Sequence, residues 1–198
     1  MPSDQRLAEN SGDDRVPVLW MLGEGSFINV RAVQPQDEAE MIRFHESLSE
    51  RTVYFRYFHL LQLRRRTEHE RLSRICASDP ARDMVLIAKD DEGSIVAVAR
   101  LSLEENSDEA EFAVLVADAW QHHGIGTILL RTLLWRAREQ GLNRVFGLVH
   151  PENVPMQRMC RHVGLDVSYS IEQEAYVAEC VFANSPPPRT ECHLRSGW

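Results

Sequence analysis

The sequence predicts a mixed α/β fold, with a sheet that is mostly antiparallel and closes with one parallel crossover. Three observations carry this reading. Apolar residues recur at helical spacing through residues 36–76, and the period then switches to that of strands near Met84. MVLIAKDDEGSIVAVARLSLE holds two apolar runs joined by Asp-Asp-Glu-Gly, a hairpin signal. QHHGIGT follows a third such run and opens a long amphipathic stretch that leads into another strand, the pattern of a parallel crossover.

Residues 1–24 are polar and broken by Pro, Gly and Asp, and they read as a flexible arm. Its one apolar patch, VPVLWML, is suited to dock on the body or on a partner. Residues 25–183 form the folded domain. FINVRAV is its first strand. Residues 36–47 are helical, with Ala39, Ile42, Phe44 and Leu48 on one side and Pro35 and Asp37 as start signals. Ser49 caps a second short helix that carries Tyr54, Phe55, Tyr57 and Phe58, and residues 67–76 form a third, stopped by Asp79-Pro80. Strands follow at 84–89, 94–103 and in EAEFAVLVA. A long helix over 126–140 ends at Gly141, RVFGLVH is a strand, and a short helix over 153–163 ends at Gly164. Runs at 166–171 and 176–182 make a last hairpin. Three consecutive prolines put residues 184–198 in a tail that trails from the domain.

Composition narrows the function. The hydrophobic fraction is 43% and the charged fraction 26%, ordinary for a globular domain. A net charge of -8 argues against nucleic acid, which needs a basic footprint, and suits a cationic partner such as an amine. Cys76, Cys160, Cys180 and Cys192 are scattered without metal or disulfide spacing, which predicts a reducing, cytoplasmic setting. The N-terminus is acidic and polar, unlike a signal peptide, and no apolar run reaches about 18 residues, so no membrane span is expected.

QHHGIGT raises two chemistries. Adjacent His122 and His123 suggest a metal, but further ligands at workable spacing are not evident, and no metal is predicted. A turn opening a helix bares main-chain N–H groups beside the positive end of the helix dipole, which suits a diphosphate. Gly124 and Gly126 are expected to let that main chain come close to the anion. A nucleoside-triphosphate loop would need a Lys that is missing, and a dinucleotide loop would need a small residue where Leu129 stands.

FAVLVADAWQHHGIGTILLRTLLWRAREQGLNRVFGLVHPENVPMQRMCRHVGL resembles the coenzyme A core of the GNAT superfamily of N-acetyltransferases. Gln121, Gly124, Gly126, Asn153 and Gly164-Leu165 carry the likeness in the family's order. SLSERTVYFRYF and AEFAVLVADAWQHHGIGT resemble the bacterial protein lysine acetyltransferase (Pat) branch. The resemblance implies a twisted sheet flanked by helices and splayed between its fourth and fifth strands, counting FINVRAV as the first. It implies acetyl-CoA as co-substrate. Gln121 belongs to the motif, and the main chain of His122, His123, Gly124, Ile125, Gly126 and Thr127 would hold the pyrophosphate. Leu115 and Val116 would offer main-chain groups to the pantetheine arm and thioester, and Asn153 would bond the pantetheine side. The histidine side chains are then expected in solvent, and a protonated one would favour the pyrophosphate at low pH.

Acetyl transfer to an amine needs a base and donors for the oxygen that gains charge. Glu111, in an otherwise apolar strand, is the candidate base, and burial there is expected to raise its pKa. The resemblance puts the Pat branch's catalytic Glu at this position. Glu109 is the runner-up and is expected to be the more exposed. Many relatives carry a Tyr acid where this chain has Cys160, a weak donor that reads as a buried helix cysteine. Tyr54 and Tyr57 could face the acceptor, with Phe55 and Phe58 in the core or lining the site. Arg64-Arg65-Arg66 reads as a solvated run. The predicted function is acetyl transfer to a primary amine, a protein lysine or a small molecule. A non-catalytic acyl-CoA sensor is the alternative from another class. The C-terminal hairpin offers sheet edges that a homodimer could pair.

Overall fold

The computed structural model describes residues 18–22, 25–79, 82–104 and 107–182. Strands run over Val18–Met21 (β1), Phe27–Ala32 (β2), Asp83–Lys89 (β3), Ile95–Leu103 (β4), Glu109–Val116 (β5), Arg144–Val149 (β6), Asp166–Ser170 (β7) and Ala175–Val181 (β8). Helices cover Glu38–Glu46 (α1), Glu50–Tyr57 (α2), Leu63–Arg66 (α3), His69–Cys76 (α4), Ile125–Glu139 (α5) and Val154–His162 (α6). The strands form one sheet in the order β1-β2-β3-β4-β5-β6-β8-β7. Among the described residues only β5 and β6 pair in parallel. Their crossover is α5, as the sequence predicts.

Strand alternation sorts side chains to two faces. Leu86 and Ala88 of β3 face the α5 core, while Ile87 between them packs with Phe44, Leu48, Val53 and Leu72 of the α1–α4 layer. On α5, Leu129, Leu130 and Leu133 are fully buried. Truncating any one to Ala would cost roughly 2–5 kcal/mol. Ser49 caps α2 by accepting from the Thr52 N–H at 3.2 Å, as its place in the sequence predicts.

Three features depart from the sequence reading. Val18–Met21, within the stretch read as an arm, form an edge strand on β2. The cause is apolar: Leu22 is buried and Trp20 packs on the α5 core. The rest of the arm and residues 184–198 of the tail lie outside the described residues. The counted fourth and fifth strands therefore become β5 and β6. The second departure is in the helical layer, which contains the additional short helix α3. The third is Arg66, which is buried rather than solvated. Its Nη1 donates to the His45 carbonyl at 2.8 Å, satisfying an open acceptor in the last turn of α1. Among the described residues no helix is long and apolar enough to cross a membrane.

Two buried polar groups tie this layer together. Asp37, only 3% exposed, receives both Nη atoms of Arg31 at 2.6 Å, with Lys89 Nζ 3.6 Å away. Burial alone would raise the Asp37 carboxyl, but the Arg31 bonds, the Gln34 N–H and the charges of Arg31 and Lys89 together outweigh it and hold the group below its usual range. His45 is pushed down to about 3 by burial and by the charges of Arg71, Arg66 and Arg56.

Both groups have depressed folded values, so both stabilise the fold at neutral pH and lose that contribution in acid. His45 acts from its ordinary value of 6.5 down toward about 3, and Asp37 acts below its ordinary 3.8. Urea unfolding followed against pH should show stability falling from about pH 6.5 downward. His45→Leu should flatten the limb between about pH 6.5 and 4. Asp37→Ala should cost on the order of 3 kcal/mol at pH 7, because it leaves Arg31 and Lys89 without their acid. An unchanged midpoint in the Ala variant would refute the role given to Asp37.

Candidate active site

The site starts where the sheet comes apart. β5 and β6 pair from Glu109↔Arg144 to Glu111↔Phe146 and no further. β5 then continues to Val116 and β6 to Val149, with a gap between them. Gly147 sits where they part. A Cβ there would lie 2.7 Å from two Phe112 ring carbons and 2.9 Å from the Phe112 carbonyl oxygen, so no larger residue fits. Nothing in RVFGLVH marked this glycine from sequence.

Hydrogen-bond direction alternates along β5 as its side chains do. The Ala117 N–H donates to the Val96 carbonyl at 2.9 Å, toward β4. The main chain of Leu115 therefore serves the β4 ladder, and the groups of Val114 and Val116 look into the gap. This corrects the expectation for Leu115, whose contribution to the gap is a side chain packed in the α1–α4 layer. The Val116 carbonyl is already taken by Gln121 Nε2 at 3.2 Å.

After β5 the chain makes a short 3-10 turn over Asp118–Trp120 and reaches His122 with φ 66° and Gly124 with φ 83°. Gly124 is the N-cap of α5 and offers no side-chain cap. The first N–H groups of α5 thus stand open beside the positive end of its dipole. The two motif glycines have different reasons. Gly124 is required by its left-handed backbone. Gly126 is favoured by tight space, since a Cβ there would be 3.0 Å from Met159 Sδ, which would have to give by a few tenths of an ångström. His122 and His123 are exposed, as expected. Among the described residues no group of three or more His, Cys, Asp or Glu is placed to hold a metal.

A polar clamp fixes this turn to α2. Asp118 accepts from the Ser49 N–H at 2.9 Å, Ser49 Oγ at 2.7 Å and Thr52 Oγ1 at 2.8 Å. Burial would raise the Asp118 carboxyl, and these bonds prevail and keep it below its usual range. Gln121 Nε2 also donates to Thr52 Oγ1 at 3.1 Å. Sequence reasoning placed Gln121 in the motif but missed Asp118, an acid that reads as ordinary turn polarity.

The gap opens into a cavity of about 750 Å³ that reaches from Thr127 past Val114 and Val116 to Glu111. Glu111 is half-buried and shares its face of β5 with Ala113 and Leu115, the face toward α2. Phe55, Arg56, Tyr57 and Phe58 of the α2 segment line the cavity. Tyr54 does not; its ring meets that of His150 at 4.9 Å. The Tyr57 hydroxyl accepts from Arg71 Nη2 at 2.7 Å. Asn153 lines the other side and caps α6, its Oδ1 accepting from the Met156 N–H at 3.2 Å. Glu109 is engaged elsewhere, its Oε2 2.6 Å from Arg144 Nη1. Cys160 is fully buried, and burial pushes its thiol up to about 12, which removes it as a nucleophile or ready acid.

Residues 41–165 match the acetyltransferase (GNAT) family. The chain belongs to that family. It is an acetyl-CoA-dependent acetyltransferase of the GNAT fold. It is 24% identical over 143 residues to an acetyltransferase of Pseudomonas aeruginosa, covering 72% of this chain and 77% of that one. The GNAT domain of S. lividans PAT is similar at a TM-score of 0.75 and 26% identity, over 83% of this chain and 96% of that chain. The PaiA N-acetyltransferase of Thermoplasma acidophilum, solved in complex with coenzyme A, shares the fold at a TM-score of 0.64 and 15% identity, over 78% and 99%.

The GNAT cavity fits a coenzyme with a diphosphate and an extended amide-bearing arm. The uncapped α5 turn has bare N–H groups that could hold the first, and the unpaired edge of β5 has main-chain groups that could hold the second. Two substitutions test these supports. Gly147→Ala should lower stability by about 1–3 kcal/mol through overpacking against Phe112, read from urea unfolding. Asp118→Ala should weaken acetyl-CoA binding about tenfold in calorimetry, the equivalent of one charge-assisted hydrogen bond. Unaltered affinity would mean that the clamp to α2 does not hold the coenzyme turn.

Proposed function

We propose that this GNAT protein acetylates a protein lysine side chain by direct attack, with Glu111 as general base. One observation carries the reading: Glu111 lines the 750 Å³ cavity at the last paired residue of β5, where the gap begins. The resemblance of its flanking sequence to the Pat branch and the likeness to the S. lividans PAT domain favour a lysine acceptor.

Acetyl-CoA supplies the acetyl group as a thioester. The N–H groups of residues 122–127 hold its diphosphate, and Asn153 bonds the pantetheine side. Val114 and Val116 donate from the gap edge of β5 to that arm and to the oxygen that gains charge as the amine adds. A lysine ammonium has an ordinary pKa of about 10.4, so the nitrogen must lose a proton before it can form the new C–N bond. Glu111 takes that proton, directly or through one water. As the C–S bond then breaks, the nitrogen gives up its second proton to water and water protonates the departing sulfur, because Cys160 holds its own proton too tightly to donate it.

Glu111→Gln should lower kcat by at least about 100-fold with a lysine peptide, followed by thiol release. Acetyl-CoA affinity, measured by calorimetry, should stay within about twofold, a change under the roughly 1.4 kcal/mol that marks a lost contact. A Gln variant with native turnover would remove Glu111 from the mechanism. Native protein that binds acetyl-CoA yet acetylates no amine would favour the sensor reading.

A further inference from the structure

Behind the α2 wall of the coenzyme cavity lies a second cavity of about 60 Å³. The two share Arg56, Tyr57, Ala113 and Leu115. The small one is also lined by His45, Arg71 and Arg100, which come from α1, α4 and β4. Nothing in the acetyl transfer described above uses it.

Its chemistry is lopsided. Arg56 and Arg71 lie over the Tyr57 ring, 5.1 and 5.4 Å from its centroid. Arg100 is paired with Asp83 at 2.9 Å. Arg66 stands behind, buried, with its Nε lacking a partner. Among the described residues, Arg56, Arg66 and Arg71 form no ion pair with a carboxylate. Glu111 acts on Arg56 through space without pairing with it. Of the three guanidinium groups that line the cavity, only that of Arg100 is thus paired with a carboxylate. His45, 4% exposed, lines the same cavity with an Nδ1 that has no hydrogen-bond partner.

Half-buried guanidinium charge without an acid partner, beside a buried orphan ring nitrogen, is costly unless something answers it. An anion in this cavity would answer both. The volume is about that of two waters at roughly 30 Å³ each, room for a carboxylate head but not for a ring or a peptide unit. The shared wall places it next to Glu111, where the acceptor amine is bound under the reading above.

We propose that this cavity seats a carboxylate carried by the acceptor beside the amine that is acetylated. The inference rests on Glu111 marking the point of transfer. The carboxylate has two sources with the same chemistry: an acidic residue flanking the acceptor lysine of a protein, or the acid group of a small amino-carboxylate.

The test uses the full chain, acetyl-CoA and two acceptor pairs. One pair is a lysine peptide with Glu or Gln next to the lysine. The other is 5-aminovalerate against n-pentylamine. The acid-bearing member should have a kcat/KM about tenfold or more higher in one pair, and that pair identifies the source. Arg56→Gln should bring the ratio close to one, and Arg56→Lys, which keeps the charge, should restore part of it. A second arm needs no turnover: glutarate titrated into the protein should shift the His45 ring resonances saturably in NMR spectra. Equal rates within both pairs would overturn the carboxylate seat and leave the acetyltransferase reading intact. A saturable His45 response with no acetylation of any acceptor would overturn the roles given to Glu111 and lysine and leave the seat standing.

Discussion

The function of this protein depends on two neighbouring strands ceasing to pair. Past Glu111 and Phe146 the ladder between β5 and β6 ends, although both strands continue. Main-chain groups in a sheet interior are normally bonded, because leaving them bare in a dry place is costly. Here Val114 keeps its groups, and Val116 its N–H, open toward a gap instead of a strand, the Val116 carbonyl being taken by Gln121. Gly147 permits this, because the Phe112 ring and carbonyl occupy the space where a side chain would stand. A ligand arm that carries amides along its length can replace the missing strand. Part of its binding energy is then the pairing that the sheet forgoes. The α5 N-terminus lies at the mouth of the same gap, so one ligand meets both sets of donors.

Much of this fold can be read from the sequence, and the limits have physical causes. The Asp-Asp-Glu-Gly turn, the Ser49 cap and the glycine after α5 are local signals, and each sits where its short-range chemistry requires. β1 escapes the same reading because VPVLWML is apolar throughout, so its four strand residues show no alternation to measure. Its place in the sheet comes from Trp20 and Leu22 reaching a core built by distant segments. Arg66 is misread for a related reason. Three consecutive arginines look solvated until packing of α3 against α1 brings one of them to an open carbonyl.

The site was legible in its main-chain parts and less so in its side-chain parts. A turn motif specifies where N–H groups will be bare, so the segment from Gln121 to Thr127 could be named in advance. Which edge of β5 faces the gap could not, because hydrogen-bond phase is set by register against β4. That is why Leu115 and Val116, adjacent in sequence, have different roles. Asp118 and Arg56 were hidden more deeply. Asp118 acts through α2, some 66–69 positions away in the chain, and that separation carries no sequence signal.

Helix α2 connects the two ends of the site. Through Ser49 and Thr52 it is bonded to Asp118 and Gln121, and so to the turn that opens α5. One turn further along it carries Arg56 and Tyr57, the wall between the large cavity and the small one. Charge follows the same geography. The chain carries a net charge of -8, which favours encounter with cations, yet the interior beside Glu111 is locally positive. Under the carboxylate-seat proposal, an acceptor that is cationic at the amine and anionic close by would meet both fields in sequence, the acidic exterior drawing the ammonium in and the arginines behind α2 setting how far it goes.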